Sequence, residues 1–145
     1  MIEKQEFYHG AALFRLLDHS SCRTVRKALA GYIINENVYL VIKYTTKHRS
    51  PWRFTFSQED IRVVMTNPAP LARVLIVFVN GGDGISALTA AELNHILGGE
   101  PGWVSMSRRF NKQYAVAGSK NSLRKKCSLS RWPALIFDED SPCLV

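Results

Sequence analysis

Residues 52–66 read WRFTFSQEDIRVVMT and contain the clearest change of secondary structure in the chain. Large apolar residues alternate with polar ones over residues 52–56, which is the period of a strand with one buried face. Ser57 and Asp60 then have the spacing of a helix capping box, and Phe56 with Ile61 has the spacing of a hydrophobic staple. A strand is therefore expected to run directly into a helix over residues 58–66.

Apolar runs on both sides of this stretch predict further strands of a sheet. Residues 38–42 (VYLVI) and 73–79 (RVLIVFV) are almost continuously apolar and rich in β-branched side chains, as expected of strands buried on both faces. Residues 35–37 (NEN) predict a hairpin turn from a strand at residues 32–34, because Asn tolerates left-handed backbone conformations.

The remaining signals in the first half set the boundaries of one domain. An apolar stripe predicts a first helix over residues 6–17, and residues 23–30 fit either a further helical turn or an irregular connection. The Pro-rich residues 67–70 close the second helix and are too short to separate two cores. We expect a single domain over 1–145, with a core over 1–80, an extension over 81–137 and a loose acidic tail over 138–145.

The extension contains a glycine-rich motif and a second helix start. Residues 80–84 (NGGDG) are typical of a tight turn, with a phosphate-cradling or metal-binding loop as the alternative. Thr89 and Glu92 have the spacing of a second capping box. The elements expected here are a strand over 85–88, a helix over 90–97 that ends at the glycines 98–99, a hairpin of strands 103–108 and 113–117, and a last apolar run over 135–137.

Basic charge is concentrated in two parts of a chain whose composition is ordinary for a globular protein. The 145 residues include 19 Lys and Arg against 12 Asp and Glu, a formal net charge of +7. The first basic segment (residues 43–53) and the second basic segment (residues 108–131) hold twelve of the bases and no acid. If they share one surface, it attracts polyanions with a steep salt dependence. We expect DNA or RNA as partner, contacted by Lys43, Lys47, Arg49, Arg53, Arg108, Arg109, Lys112, Lys125 and Lys126.

Aromatic residues are interleaved with these bases, and three uses for them stay open. They stack on unpaired nucleobases, or they pack in the core, since strand aromatics fit half-buried pleated surfaces. The third use is contact with a protein, either an acidic partner or a second copy of the chain in a homodimer. The aromatics concerned are Tyr44, Trp52, Phe54, Phe110, Tyr114 and Trp132.

The expected order helix, strand, strand, strand, helix, strand resembles the core of the PD-(D/E)XK nuclease superfamily. The resemblance implies an α/β fold with a mixed sheet and a restriction-endonuclease-like αβββαβ core, extended by a β-hairpin and a helix. In that superfamily an acid and an acid-x-Lys triplet hold magnesium on two adjacent strands. Lys43 has the position of that lysine, but Val41 stands where the triplet needs its acid. Residues 43–56 also resemble a KY-[ST]-x-K-x-x-SPW-x-F-x-F segment of small microbial proteins, which implies no activity.

The missing acid favours nucleic-acid binding with absent or degenerate catalysis and without a cofactor. The alternative is an active magnesium-dependent nuclease whose acidic residues are displaced, with Glu6, Glu36, Lys43 and Asp83 as catalytic candidates. No histidine or cysteine has metal-ligand spacing, so no other metal is expected. No apolar run reaches the roughly 20 residues of a membrane span and residues 1–6 lack a signal pattern, so we expect a cytoplasmic protein without a membrane partner.

Overall fold

The computed structural model describes residues 1–66 and 73–137, which form four helices and eight strands. The Pro-rich residues 67–70 and the acidic tail 138–145, for which the sequence makes predictions, lie outside the described residues. The elements in chain order are α1 (Lys4–Leu17), β1 (Val25–Ala28), β2 (Gly31–Ile34), β3 (Val38–Thr45), β4 (Trp52–Phe56), α2 (Gln58–Met65), β5 (Arg73–Asn80), β6 (Gly84–Thr89), α3 (Ala90–Leu97), β7 (Gly102–Ser107), β8 (Ala115–Gly118) and α4 (Arg131–Phe137).

A five-stranded mixed sheet forms the centre of the molecule, in the order β1-β2-β3-β5-β6. Its neighbours are antiparallel except for β3 and β5, which are parallel and pair over their full length. Parallel strands need a long crossover, and here the chain crosses through β4 and α2 between them. The α/β class and the mixed sheet expected from the sequence are therefore confirmed.

The strand β1 replaces the helical turn or irregular connection expected over residues 23–30. It is antiparallel to β2, and Val25 pairs with Ile34 across the two strands. Leu29 has a φ of 52° and makes the turn into β2. The two middle residues of β1 are exposed, because it is an edge strand, and the apolar alternation that would have identified it is missing.

The strand β4 leaves the large sheet and joins β7 and β8 in a separate three-stranded antiparallel sheet. Its residues Trp52, Phe54 and Phe56 are buried, while Arg53 and Thr55 are exposed, as the alternation predicts. The order helix, strand, strand, strand, helix, strand occurs around the large sheet as α1, β1, β2, β3, α2 and β5. The three consecutive strands in this order are therefore β1, β2 and β3. The sequence analysis expected β2, β3 and β4, because β1 was not identified as a strand.

Both faces of the large sheet are covered, which explains the continuous apolar runs of β3 and β5. On one face, Leu40 and Val77 pack in a cluster with Leu16 of α1 and Ile136 of α4. On the other face, Phe78 packs in a second cluster whose members come from α2, α3 and the small sheet. The small sheet and its loops are thereby fixed against the end of β5.

The predicted helix starts are confirmed at both capping boxes. Ser57 accepts a hydrogen bond from the Asp60 amide and Asp60 accepts one from the Ser57 amide. Thr89 and Glu92 do the same at α3, which ends at Gly98 with a φ of 66°. None of the described helices is long and apolar enough to span a bilayer.

Candidate nucleic-acid interface

The loop between β3 and β4 carries much of the first basic segment and is held in place by its own hydrogen bonds. The Trp52 indole Nε1 donates to the Lys47 carbonyl oxygen at 3.0 Å, and the Lys47 ammonium donates to the Pro51 carbonyl oxygen at 2.8 Å. The Ser50 hydroxyl oxygen accepts a hydrogen bond from the Arg108 amide at 3.1 Å. Because Arg108 directly follows β7, this bond brings the two basic segments into contact.

Asp83 holds the start of the second basic segment in place through hydrogen bonds to Arg108. It lies in the turn between β5 and β6 and accepts hydrogen bonds from Arg108 Nε at 2.6 Å and Nη2 at 2.8 Å. The hydroxyl of the buried Tyr114 donates a third bond to Asp83 at 2.7 Å. Burial, together with that bond, raises the pKa of Tyr114 to about 12. The hydrogen bonds from the Arg108 guanidinium to Asp83 raise the pKa of Arg108, so this side chain stays a cation.

The glycines of the NGGDG motif allow this close packing. Gly81 has a φ of +57°, and a Cβ atom on it would lie 2.0 Å from the Lys47 carbonyl oxygen. A Cβ atom on Gly84 would lie 2.7 Å from the Tyr114 hydroxyl. The motif forms the tight turn predicted for it, with Asn80 paired to Gly84 in the β5-β6 ladder. Its glycines also make room for the β3-β4 loop and for the hairpin of β7 and β8.

Two adjoining clefts open where the basic segments meet. The basic cleft, of about 500 Å³, is lined by Ser50, Ser107, Arg108, Arg109, Lys112, Gln113, Ala115 and Lys126. Of the residues that the structure describes, four cations and no acid therefore line it. The second cleft, of about 210 Å³, shares Ser50, Arg108 and Arg109 with it. Asp83 lines this second cleft, where its charge is matched by Arg108. The other residues that line the second cleft are His48, Arg49, Trp52 and Phe110.

Phe110 differs from the other aromatics of the basic segments. Its side chain is 87% exposed at the turn between β7 and β8, beside Arg109 and next to Asn111, whose φ is 61°. Tyr44 is half-buried and stacks on Tyr8 with 4.9 Å between ring centroids. The remaining aromatics singled out in the sequence are core residues, namely Trp52, Phe54, Tyr114 and Trp132.

Several predicted nucleic-acid contacts lie away from the basic cleft. The Lys43 ammonium donates to the Thr55 carbonyl oxygen at 2.9 Å and pairs with Asp60 at 3.3 Å, which is the acid beside Lys43. Arg53 lies over the Trp103 ring on the outer face of the small sheet, 4.3 Å from its centroid. Five of the predicted contacts line at least one of the two clefts, namely Arg49, Arg108, Arg109, Lys112 and Lys126. The other four line neither cleft, namely Lys43, Lys47, Arg53 and Lys125.

Two more bases of the second segment are used in ion pairs. Arg131 is buried and pairs with Glu92 at 3.0 Å, while its Nη1 donates to the Ala87 carbonyl oxygen. Lys120 pairs with Glu100 at 3.5 Å on the surface. No local pattern indicated the Arg131 pair, because Glu92 was already explained as a capping residue. Asp60 was likewise explained as a capping residue, so its ion pair with Lys43 was not expected from the sequence.

The acidic catalytic candidates have different partners and are not brought together. Glu6 accepts a hydrogen bond from the Glu3 amide in the first turn of α1, and Glu36 forms a surface ion pair with Arg26 at 2.8 Å. Asp83 is bound by Arg108, as described above. Within residues 1–66 and 73–137, no three His, Cys, Asp or Glu side chains are grouped so that they could hold a metal ion. These residues therefore do not fit the magnesium site that the nuclease resemblance implies.

The two clefts offer binding chemistry of a specific kind. Guanidinium and ammonium groups donate hydrogen bonds to phosphate oxygens, and the exposed ring of Phe110 offers an apolar face beside them. No protein-family model, curated protein or solved structure matches this chain. The function is therefore inferred from the geometry of the clefts.

Proposed function

We propose that this protein binds nucleic acid through the basic cleft, with the phosphate backbone lying across Arg109, Lys112 and the neighbouring cations. The observation that carries the proposal is the hydrogen bond from the Arg108 amide to Ser50, which joins the two basic segments. Without that contact, the positive charge would belong to two separate loops. With it, Arg49 of the first segment lines the second cleft, which adjoins the four cationic residues of the basic cleft, and no acid among the described residues lines the basic cleft.

Fixed geometry also supports this proposal. A loop that must be ordered on binding loses conformational entropy, whereas a preorganised site does not. Here Asp83 holds the Arg108 side chain and the Trp52 indole holds the β3-β4 loop. Arg109 and Lys112 are exposed on the turn that follows, so their side chains reach solvent and can neutralise phosphates.

Phe110 favours a single-stranded target over a duplex. An 87% exposed aromatic ring beside Arg109 is positioned to stack on an unpaired base while its neighbours contact phosphates. Stacking of this kind contributes about 1–3 kcal/mol per base and tolerates any sequence. We therefore expect binding to DNA or RNA single strands with little sequence preference.

The experiment measures fluorescence anisotropy of a labelled single-stranded oligonucleotide over a series of salt concentrations. The wild-type protein should bind at low salt, and affinity should fall steeply as salt rises. The double variant Arg109→Ala/Lys112→Ala should bind more weakly, with a salt slope smaller by about 1.4, because each phosphate contact to a single strand contributes about 0.7. The absence of binding at low salt would overturn the proposal.

A matched variant controls for the loss of net charge. Lys27 on β1 and Arg62 on α2 are exposed and line neither cleft. Lys27→Ala/Arg62→Ala removes the same charge, so it should retain nearly the wild-type salt slope. Equal losses in both double variants would mean that binding depends on overall charge and not on the cleft. Phe110→Ala should weaken single-strand binding without changing the slope.

We also propose that the large sheet and its helices form a restriction-endonuclease-like core, and that the protein is cytoplasmic. The order α1, β1, β2, β3, α2 and β5 around the large sheet supports this core. Because Glu6, Glu36 and Asp83 have separate partners, we propose binding without phosphodiester cleavage. Labelled oligonucleotide incubated with protein and Mg²⁺ should stay intact, and Mg²⁺-dependent cleavage would favour the nuclease alternative.

A further inference from the structure

The helix α1 has two apolar faces, and within residues 1–66 and 73–137 one of them packs in the core while the other stays exposed. Ala12 and Leu16 are fully buried against the large sheet. On the opposite side of the helix, Phe7, Phe14 and Leu17 are 61%, 72% and 63% exposed. Their spacing of seven and three residues places them in one stripe along the helix. A surface helix normally has a single apolar face, so a second one indicates a partner.

The middle of this stripe is small and open. Gly10 and Ala11 are exposed, and a Cβ atom added to Gly10 would meet nothing within 4 Å. A second helix can therefore approach the backbone of α1 closely at this point, between Phe7 and Phe14. Those two rings lie about 10 Å apart along the helix axis, as seven residues at the normal helical rise require.

The charges beside the stripe are complementary to those of a second copy in antiparallel orientation. Lys4, the first residue of α1, and Asp18, its C-cap residue, lie on the same flank, seven residues before and after Ala11. Neither takes part in an ion pair within the described part of the chain. If two copies pack antiparallel about a two-fold axis at Ala11, Lys4 of one copy meets Asp18 of the other, and this happens twice. The same arrangement places Phe7 of each copy against Phe14 of the other.

We propose that α1 is a homodimerisation helix, and that two copies of this chain pack antiparallel through Phe7, Gly10, Phe14 and Leu17. Under one two-fold rotation Phe7 meets Phe14 and Lys4 meets Asp18 in both directions, which is the self-complementarity that an isologous dimer requires. A parallel pair would instead place both Lys4 residues at one end and both Asp18 residues at the other, so that no Lys4 could meet an Asp18. The proposal does not depend on nucleic-acid binding, because α1 contributes no residue to either cleft.

The first experiment measures the solution mass of the full chain by analytical ultracentrifugation over a range of concentrations. The wild-type protein should be a dimer, and Phe14→Glu should be a monomer at all concentrations. Met65→Glu is the matched control, because Met65 is also an exposed apolar residue, at 51%, but lies on α2. It should remain dimeric. A monomeric wild-type protein, or a dimer that survives Phe14→Glu, would overturn the proposal.

The second experiment tests the antiparallel orientation by charge exchange. Lys4→Asp and Asp18→Lys each create like-charge contacts and should weaken the dimer about ten-fold, whereas the double variant should restore it. Both single changes suit the helix dipole, so a weaker dimer cannot be attributed to a weaker helix. A double variant no tighter than the single ones would overturn the antiparallel pairing. A monomeric wild-type chain that binds lipid vesicles through Phe14 would assign the stripe to a membrane surface and overturn the dimer.

Discussion

Asp83 and Arg108 are joined by two hydrogen bonds, of 2.6 and 2.8 Å, although 25 residues separate them in the chain. The carboxylate belongs to the β5-β6 turn of the large sheet, and the guanidinium belongs to the residue that directly follows β7 of the small sheet. Both side chains are largely buried, with 21% and 14% of their surfaces exposed. The pair therefore links the two sheets at the point where the basic cleft opens.

Removal of this link should reduce both stability and binding. Asp83→Asn leaves the Arg108 charge with weaker acceptors, and the expected loss in unfolding free energy is about 2–3 kcal/mol, as for hydrogen bonds to charged groups. Urea denaturation followed by tryptophan fluorescence measures this loss. Oligonucleotide affinity should fall as well, because the Arg108 guanidinium is no longer held in place at the basic cleft. A variant as stable as the wild type would mean that the pair contributes nothing to the sheet contact.

The high pKa of Tyr114 predicts a loss of stability in alkali. The folded protein holds the phenolic proton with a pKa of about 12, against 10.0 for an ordinary tyrosine. Its contribution is complete below about pH 10, and it is lost as the pH rises from 10 towards 12, because the unfolded chain then binds fewer protons than the native one. The stability difference between wild type and Tyr114→Phe should shrink over that window. A constant difference would show that Tyr114 titrates normally.

The two neighbouring glycines of the NGGDG turn offer a matched pair of variants. Gly81→Ala places a methyl group against the Lys47 carbonyl oxygen at a φ of +57°, so unfolding free energy should fall by more than about 1 kcal/mol. Gly82→Ala should change it by less than about 0.5 kcal/mol, since nothing lies within 4 Å of the added atom. Thermal denaturation of both variants tests this difference. Similar melting temperatures would contradict the contact between the turn and the β3-β4 loop.

The buried ion pair of Arg131 with Glu92 should be costly to break from one side. Glu92→Gln leaves an uncompensated cation whose surroundings exclude water, and the expected destabilisation is about 3–5 kcal/mol. Exchange of both residues for Met should be much less destabilising, because the double variant leaves no buried charge. Urea denaturation of the single and double variants measures the difference. Equal losses would contradict a penalty from the unpaired Arg131 charge, since the Gln side chain still accepts the capping hydrogen bond from the Thr89 amide.

Asp60 predicts an acid-sensitive contribution from the start of α2. Partial burial alone would raise the pKa of Asp60, but hydrogen bonds from Ser57 and the charge of Lys43 outweigh it and lower the pKa. The resulting stabilisation is present above the ordinary aspartate pKa of 3.8 and is lost as pH falls through the lower folded value. The stability advantage of wild type over Asp60→Asn should therefore disappear in acid. Its persistence at low pH would exclude an electrostatic origin.

Local signals in the sequence predicted most of the secondary structure. Ser57 with Asp60, and Thr89 with Glu92, mark helix starts because capping depends on residues only three positions apart. The apolar runs of β3 and β5 identified buried strands, since both faces of the large sheet are covered. The edge strand β1 was missed because its exposed residues carry no such pattern.

What the sequence determined by itself was the identity of these elements and the concentration of basic residues in two segments. Only the tertiary structure decided that β4 leaves the large sheet, that Ser50 meets Arg108, and that Lys43 pairs with Asp60. The physical reason is the distance along the chain over which each interaction acts. Helix capping and burial periodicity depend on residues a few positions apart, so local sequence patterns indicate them. Strand pairing and these ion pairs join residues far apart in the chain, and no local pattern indicates which residues will meet.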